Sequence, residues 1–135
     1  MKNALKDRSS ERGSAGVKFA IVLTVILLAV HAGYNYIPVA YEAESLRTEM
    51  QTAVVQGLAL PGKISPVENV KGRVQKAMVT NAIPADALLN VTQTGNVIQA
   101  HVAYQKKVAI LPFGIYNYNY TFDHTATPTG FLLKQ

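Results

Sequence analysis

Two histidines and one aspartate in the second half of the chain are the side chains best suited to acid–base chemistry. His101 and His124 are far apart in the sequence, and Asp123 directly precedes His124. Neighbouring residues of an extended strand point to opposite faces, so Asp123 and His124 cannot act together through adjacency. His101 and Asp123 could meet across a sheet, but no spacing in the sequence places a nucleophile or a metal ligand beside them.

The remaining motifs of the common enzyme classes are missing from the sequence. It contains no cysteine, which excludes disulfides, thiolate metal sites and cysteine nucleophiles. The P-loop, GxGxxG, HExxH and GxSxG patterns are also absent, so the usual phosphate, dinucleotide, zinc and serine-nucleophile sites are not indicated. We therefore expect no enzymatic activity, no cofactor, no metal and no small-molecule substrate.

Residues 17–37 form the most distinctive element of the sequence. Phe19 to Val30 contains a single polar residue, Thr24. About twenty helical residues are needed to cross the ~30 Å hydrocarbon layer, and Val17 to Ile37 meets this requirement. The flanks fit the two interfaces, because Lys18 can reach the headgroups on one side and tyrosines follow on the other. These tyrosines are Tyr34, Tyr36 and Tyr41. The sequence predicts one transmembrane helix in contact with a lipid bilayer.

The distribution of charge predicts the orientation of this helix. The formal net charge is +5. Residues 1–18 supply +3 of it through five basic and two acidic side chains, whereas residues 19–135 have a net charge of +2. The positive-inside rule then places the N-terminus in the cytoplasm and the following domain in the periplasm, with the helix in a bacterial inner membrane. Basicity concentrated at a membrane flank argues against a phosphate-binding face, so no nucleic acid is expected as a partner.

Two features of the span leave further interpretations open. Ala29 and Gly33 form a small-xxx-small pair, which would let another helix approach closely and suggests a protein partner or a homo-oligomer. A cleaved secretory signal is the alternative, with Val30-His31-Ala32 before a cut at Gly33. The long basic region and the apolar residues beyond that site favour a retained anchor.

The segment 38–125 predicts a small α+β domain that begins with two helices. Apolar residues recur at helical spacing up to about Gln56, after which Gly57 and Pro61-Gly62 are expected to break the chain. The stripe consists of Val39, Ala43, Leu46, Met50 and Ala53 or Val54. A second helix begins at Ser65-Pro66-Val67-Glu68, which has the pattern of a capping box. It should end between Asn81 and Pro84.

Alternating residues after Leu88 predict a three-stranded antiparallel sheet. The first strand, Leu88 to Gln93, is followed by a turn at Thr94-Gly95-Asn96. In the second strand one face carries Ile98, Ala100, Val102 and Tyr104; Lys106-Lys107 should interrupt it before Val108 to Leu111. The last strand follows a turn at Pro112-Phe113-Gly114. Residues 126–135 are expected to be a loose tail.

The last strand carries an aromatic stripe with two possible roles. Its members are Tyr116, Tyr118, Tyr120 and Phe122. Alternate aromatic residues could stack a ligand, but rings of this size also cover packed helices in a small sheet. We assign the stripe to the core, and truncation of Tyr118 to alanine is then expected to unfold the domain or to cost about 3–5 kcal/mol.

The residues from Glu11 to Ala20 resemble the start of type IV pilin-like proteins and of Tad minor pilins, in which a basic leader and a glycine precede an apolar helix. This resemblance implies processing at the Gly16–Val17 junction. Lys18 departs from the family pattern, because pilins carry a glutamate early in the helix that meets a neighbouring subunit's amino terminus.

Residues 11–125 also resemble an uncharacterised family of short bacterial single-pass proteins. The matching motifs are the helix exit Tyr36-Ile37-Pro38-Val39-Ala40-Tyr41-Glu42, then Val102-Ala103-Tyr104, Leu111-Pro112-Phe113-Gly114 and Phe122-Asp123-His124. The resemblance implies an inner-membrane protein with a small periplasmic α+β domain and supplies no activity. Taken together, the sequence predicts a non-enzymatic, membrane-anchored accessory or structural subunit that acts through protein contacts. The alternative is a pilin-like subunit of a filament or secretion system.

Overall fold

The computed structural model describes residues 10–59, 62 and 64–128, and the side chains within them except those of 10–12, 58 and 59. The predicted α+β arrangement is confirmed: a long helix, a second helix and a three-stranded antiparallel sheet follow one another. The elements are α1 (Ser10–Ala59), α2 (Pro66–Thr80), β1 (Leu88–Thr94), β2 (Val97–Ala109), a short 3-10 turn (Pro112–Gly114) and β3 (Asn117–Ala126). Most of the basic segment and most of the expected tail lie outside the described residues.

Helix α1 joins the apolar segment to the domain without a break. It contains 50 residues, a length of ~75 Å at ~1.5 Å per residue. Pro38 lies inside it, where the missing N–H removes one hydrogen bond of the helix ladder. Within the described residues this is the one helix long and apolar enough to cross a membrane, and its most apolar stretch is not covered by the rest of the chain.

The second half of α1 forms the core together with α2 and one face of the sheet. The apolar stripe expected from the sequence is buried as a unit, from Val39 to Val54. It faces Val70, Val74 and Ala77 of α2 and the inward residues of β2. These are Ile98, Ala100, Val102 and Tyr104, the face that the alternation predicts. Burial of these side chains supplies the main driving force for folding of a domain this small.

Helix α1 ends later than the sequence suggests, because Gly57 is a packing residue. The helix continues through Gly57 to Ala59. A Cβ atom placed on Gly57 would overlap the Cγ2 atom of Val70. The absence of a side chain therefore lets α2 approach α1 closely, and the expectation that Gly57 breaks the helix is wrong.

Helix α2 begins as its sequence predicts. The hydroxyl oxygen of Ser65 accepts a hydrogen bond from the backbone N–H of Glu68 at 3.2 Å, and Pro66 occupies the first turn. Asn81 caps the other end, and its side-chain amide donates to the carbonyl of Ala77 and to a carboxylate oxygen of Glu49. The cap therefore also ties the end of α2 to α1.

Two features of the sheet differ from the expectation. Strand β2 passes through Lys106 and Lys107 without interruption, because the ammonium group of Lys106 is paired with Glu42 of α1. Ala126 belongs to β3 and is fully buried. The carbonyl of Thr127 accepts a hydrogen bond of 2.7 Å from the Gln51 side chain, so the chain is still attached to α1 at residue 127.

Candidate functional site

The histidine and aspartate singled out in the sequence meet on the outer face of the sheet. His101 Nε2 lies 2.7 Å from Asp123 Oδ1; the side chain of His101 is partly exposed and that of Asp123 is exposed. Asp123 is directly opposite Ala103 in the register of β2 and β3, so the pair is diagonal across the two strands. The part of the chain that the structure describes holds no group of three or more histidine, aspartate or glutamate residues able to bind a metal. This pair links β2 to β3.

His124 lies on the other face of β3, against α1. Burial lowers the pKa of His124, and the nearby Arg47 lowers it further, while Glu44 acts in the opposite direction. The histidine lines a shallow, open hollow with Glu44, Arg47 and neighbouring polar residues of α1. Asp123 and His124 thus occupy opposite faces, as strand geometry requires.

The side chains of the aromatic stripe become less exposed from its first residue to its last. Phe122 is buried and stacks on Tyr104, with the ring centroids 5.0 Å apart. Tyr120 is partly buried beside the core, and burial raises its pKa. Tyr118 and Tyr116 are 43% and 53% exposed. The assignment of the whole stripe to the core is therefore wrong for Tyr116 and Tyr118. Tyr116 precedes β3, which begins at Asn117, and Tyr118 lies beside Tyr36 in the apolar part of α1 rather than beside the core.

Tyr36 of α1 joins this stripe, which the sequence did not indicate. Its ring centroid lies 6.3 Å from that of Tyr118 and 6.0 Å from that of Tyr120. Tyr36 is also one of the tyrosines expected at the membrane interface. Its position shortly before a proline in an apolar helix carries no signal of a contact with a strand some eighty residues later. The start of β3 is therefore level with the end of the apolar segment.

The ion pair between Lys106 and Glu42 fixes the helix and the sheet at a neighbouring point. The ammonium nitrogen of Lys106 lies 2.6 Å from a carboxylate oxygen of Glu42, and it also approaches the carbonyl oxygen of Ala82 at 3.4 Å. Three parts of the domain are thus held together just beyond the apolar segment.

The small-residue pair in the apolar segment lies on an open surface of α1. A Cβ atom added to Gly33 would meet only the Cδ1 atom of Ile37, at 3.8 Å. Ala29, one turn earlier, is exposed. Four residues correspond to about 40° around a helix, so both face the same side.

The residues of the expected processing junction, Gly16 and Val17, are both exposed on α1. A methyl group added to Gly16 would meet no atom within 4 Å. Within the described residues, the helix already includes Ser10, upstream of this junction.

Searches against family models, curated proteins and solved structures found no match for this chain. The interpretation of its surfaces therefore depends on their own geometry and chemistry.

Proposed function

We propose that this chain is a non-enzymatic, single-pass membrane subunit that acts through protein contacts. In this proposal, the apolar part of α1 crosses a bacterial inner membrane, the N-terminus is cytoplasmic and the α+β domain lies in the periplasm. The observation that carries the proposal is the single helix α1: its first half is uncovered and apolar, and its second half is the central element of the domain core.

A continuous helix restricts how the domain can move relative to the membrane. The stripe of α1 is buried immediately after the apolar segment, from Val39 onward. The Lys106–Glu42 pair adds a polar link at the same level. A domain attached in this way keeps a defined rotation about the helix axis, so a partner that binds the span meets the domain in one orientation.

The contact with a partner helix is assigned to the surface around Ala29 and Gly33. Small residues allow close backbone approach, and close packing is a main source of helix association in lipid. The space beside Gly33 is open in the isolated chain. The partner is a second copy of this chain or another membrane protein, and the same experiment separates these cases.

Site-specific photo-crosslinking in membranes tests this contact. The chain has no cysteine, so Ala29→Cys and Gly33→Cys each introduce a single attachment point for a benzophenone maleimide. Leu27→Cys is the matched control, because two residues place it about 160° around the helix from Ala29 at nearly the same depth. We expect protein adducts from the first two positions and only lipid adducts from Leu27→Cys.

A second substitution determines whether the adduct reports specific packing. Gly33→Ile combined with Ala29→Cys should abolish the adduct, whereas Leu27→Ile combined with Ala29→Cys should leave it unchanged. The mass of the adduct identifies a second copy or a different protein. Equal labelling from all three cysteine positions, or no protein adduct from any of them, would contradict the proposal.

A pilin-like subunit processed before Val17 is the second candidate. The exposure of Gly16 and Val17 on an otherwise unpacked half-helix favours this candidate, since subunits of this shape could associate through their protruding helices. The intact mass of the protein isolated from membranes tests it directly. A mature chain that begins at Val17 would support processing, and a chain that begins at Met1 or Lys2 would exclude it.

A further inference from the structure

The connection between β2 and β3 is the most exposed apolar part of the domain. Within residues 110–116, the side chains of Phe113 and Ile115 are 98% and 71% exposed. No charged residue occurs between Lys107 and Asp123. Single exposed apolar residues are ordinary, but several adjacent ones at a loop tip indicate a surface that is covered in the working protein.

The tip of this β2–β3 loop (residues 110–116) has an unusual backbone conformation. Phe113 has a φ of 61°, in the left-handed region that bulky residues rarely adopt. No buried contact compensates for this conformation, since the ring of Phe113 is almost entirely exposed. Strain that the core does not explain is more often found at functional positions.

Hydrogen bonds inside the loop reduce the cost of moving it out of water. The backbone N–H groups of Ile110 and Leu111 both donate to the carbonyl oxygen of Tyr116, at 3.2 Å. Ile115 donates to the carbonyl of Pro112 at 3.3 Å, and Pro112 itself has no N–H. A polar backbone group that enters lipid without a partner is costly, so these internal bonds suit a nonaqueous environment.

The loop lies at the height of the apolar segment of α1. Strand β3 runs in the same direction as α1, since Tyr118 contacts Tyr36 at one end and Thr127 is bonded to Gln51 at the other. The loop precedes β3 and therefore projects backward along α1, toward Gly33. At ~3.3 Å per strand residue, Ile115 extends up to about 10 Å beyond Tyr118.

We infer that the β2–β3 loop is a second membrane-contact site, which inserts Phe113 and Ile115 into the headgroup–acyl boundary of the bilayer that α1 crosses. The inference depends on the proposal that α1 spans a membrane. Interfacial segments bury their apolar residues by about 5–10 Å. This depth is comparable to the distance by which the loop extends beyond Tyr118 along α1. Tyr116 belongs to the loop, Tyr118 follows it in β3 and contacts Tyr36 of α1, and tyrosine is the residue type enriched at this depth.

Lipid is favoured over a protein partner because of where the loop is placed. Its tip points along α1 toward a segment that is itself apolar and uncovered, so a bilayer around that segment would also surround the loop. The opposite end of the sheet, at the β1–β2 turn, carries polar residues instead: Thr94, Gly95 and Asn96. Adjacent exposed apolar side chains thus lie at the end of the sheet that faces the span, whereas the polar turn at the opposite end is followed by one exposed valine, Val97.

Tryptophan fluorescence in lipid vesicles tests this inference with the full chain. The protein has no tryptophan, so Phe113→Trp introduces a single reporter at an exposed position that does not support the core. Val97→Trp is the control, as it is an exposed apolar residue at the other end of β2, about 40 Å away at ~3.3 Å per residue. Val22→Trp reports on the span itself. Each variant is reconstituted into phosphatidylcholine vesicles with or without bromine atoms on the acyl chains.

We expect blue-shifted emission and strong quenching by brominated lipid for Phe113→Trp and Val22→Trp, and neither effect for Val97→Trp. Red, unquenched emission from Phe113→Trp together with quenched Val22→Trp would overturn the loop inference and leave the membrane span intact. Blue but unquenched emission from Phe113→Trp would also overturn it, since protein rather than lipid would then cover the loop. Unquenched emission from Val22→Trp would instead contradict the proposal that α1 spans a membrane.

Discussion

Lys106 and Glu42 form an ion pair across the junction between sheet and helix, with 2.6 Å between the ammonium nitrogen and a carboxylate oxygen. Their side chains are only 27% and 25% exposed, so water screens the pair less than an ordinary surface pair. The lysine is on the inward face of β2, directly opposite Tyr120 in the register of the sheet.

Removal of the lysine should destabilise the domain. In Lys106→Met the carboxylate of Glu42 stays partly buried without its partner, and a loss of about 1–3 kcal/mol in unfolding free energy is expected. The double variant with Glu42→Leu should recover part of this loss, because no lone charge remains. Denaturant unfolding in detergent micelles, followed by circular dichroism, measures both.

Arg47→Met is the matched control for this experiment. Arg47 pairs with Glu44 within α1, and both side chains are at least half exposed. A pair of this kind contributes less than about 1 kcal/mol. If Lys106→Met costs no more than Arg47→Met, the junction pair has no special structural importance.

Gly57 and Gly72 should respond oppositely to the same substitution. Gly57→Ala forces a methyl group against Val70, and overpacking of this kind costs about 1–3 kcal/mol. Gly72 lies in α2 with nothing within 4 Å of its Cβ position, so Gly72→Ala should stabilise the helix by about 0.5–1 kcal/mol. Midpoints of thermal unfolding that shift in the same direction for both variants would contradict the packing role of Gly57.

Tyr118 and Phe122 belong to one face of β3 but should differ in their contributions to stability. Phe122→Ala empties a buried position, and a loss of about 3–5 kcal/mol is expected. Tyr118 is 43% exposed, and its ring contact is with Tyr36, so Tyr118→Ala should cost roughly 1–2 kcal/mol. This value replaces the larger loss expected from the sequence. If Tyr118→Ala alone unfolds the domain, Tyr118 contributes to stability as a core residue and this prediction is wrong.

Local patterns in the sequence predict much of this fold because they record the period of each element. The spacing from Val39 to Val54 predicts the buried side of α1, and the alternation from Ile98 to Tyr104 predicts the inward face of β2. The capping pattern at Ser65 also predicts the start of α2. Each of these signals arises from neighbours within a few residues.

The features of the structure that differ from the sequence-based predictions have a common physical cause, which is contact between residues far apart in the chain. The alternation of residues assigns Tyr116 and Tyr118 to the inward face of the last predicted strand. It does not show that β3 begins only at Asn117, nor which element covers that end of the sheet. Lys106 resembles a strand breaker until Glu42 is placed beside it. Gly57 resembles a helix terminator until Val70 is found against it. None of these tertiary neighbours can be read from local sequence.

We expect the stability of the domain to decrease in alkali because of the hydroxyl group of Tyr104. Within the described residues it is buried and has no hydrogen-bond partner. Burial, with smaller contributions from Tyr120 and Glu42, raises the pKa of Tyr104 to about 12. Above pH ~10 an unfolded chain loses this proton while the folded chain retains it, so the unfolding free energy falls as the pH rises toward 12, by at most about 1.4 kcal/mol per pH unit.

Tyr104→Phe should remove this dependence and leave the stacking on Phe122 in place. Near neutral pH the variant should be as stable as the parent chain, or more stable by about 1 kcal/mol, because an unpaired buried hydroxyl is lost. Other phenols and lysines also titrate in alkali. The informative quantity is therefore the difference between parent and variant in the slope of unfolding free energy against pH. It is measured from about pH 9 to 11.5, a range chosen around the pKa of ~10 of free tyrosine. Tyr41→Phe is the control, because it removes a tyrosine hydroxyl from an exposed position beyond the span. Equal slopes for all three proteins would show that the Tyr104 hydroxyl ionises as freely in the folded state as in the unfolded one.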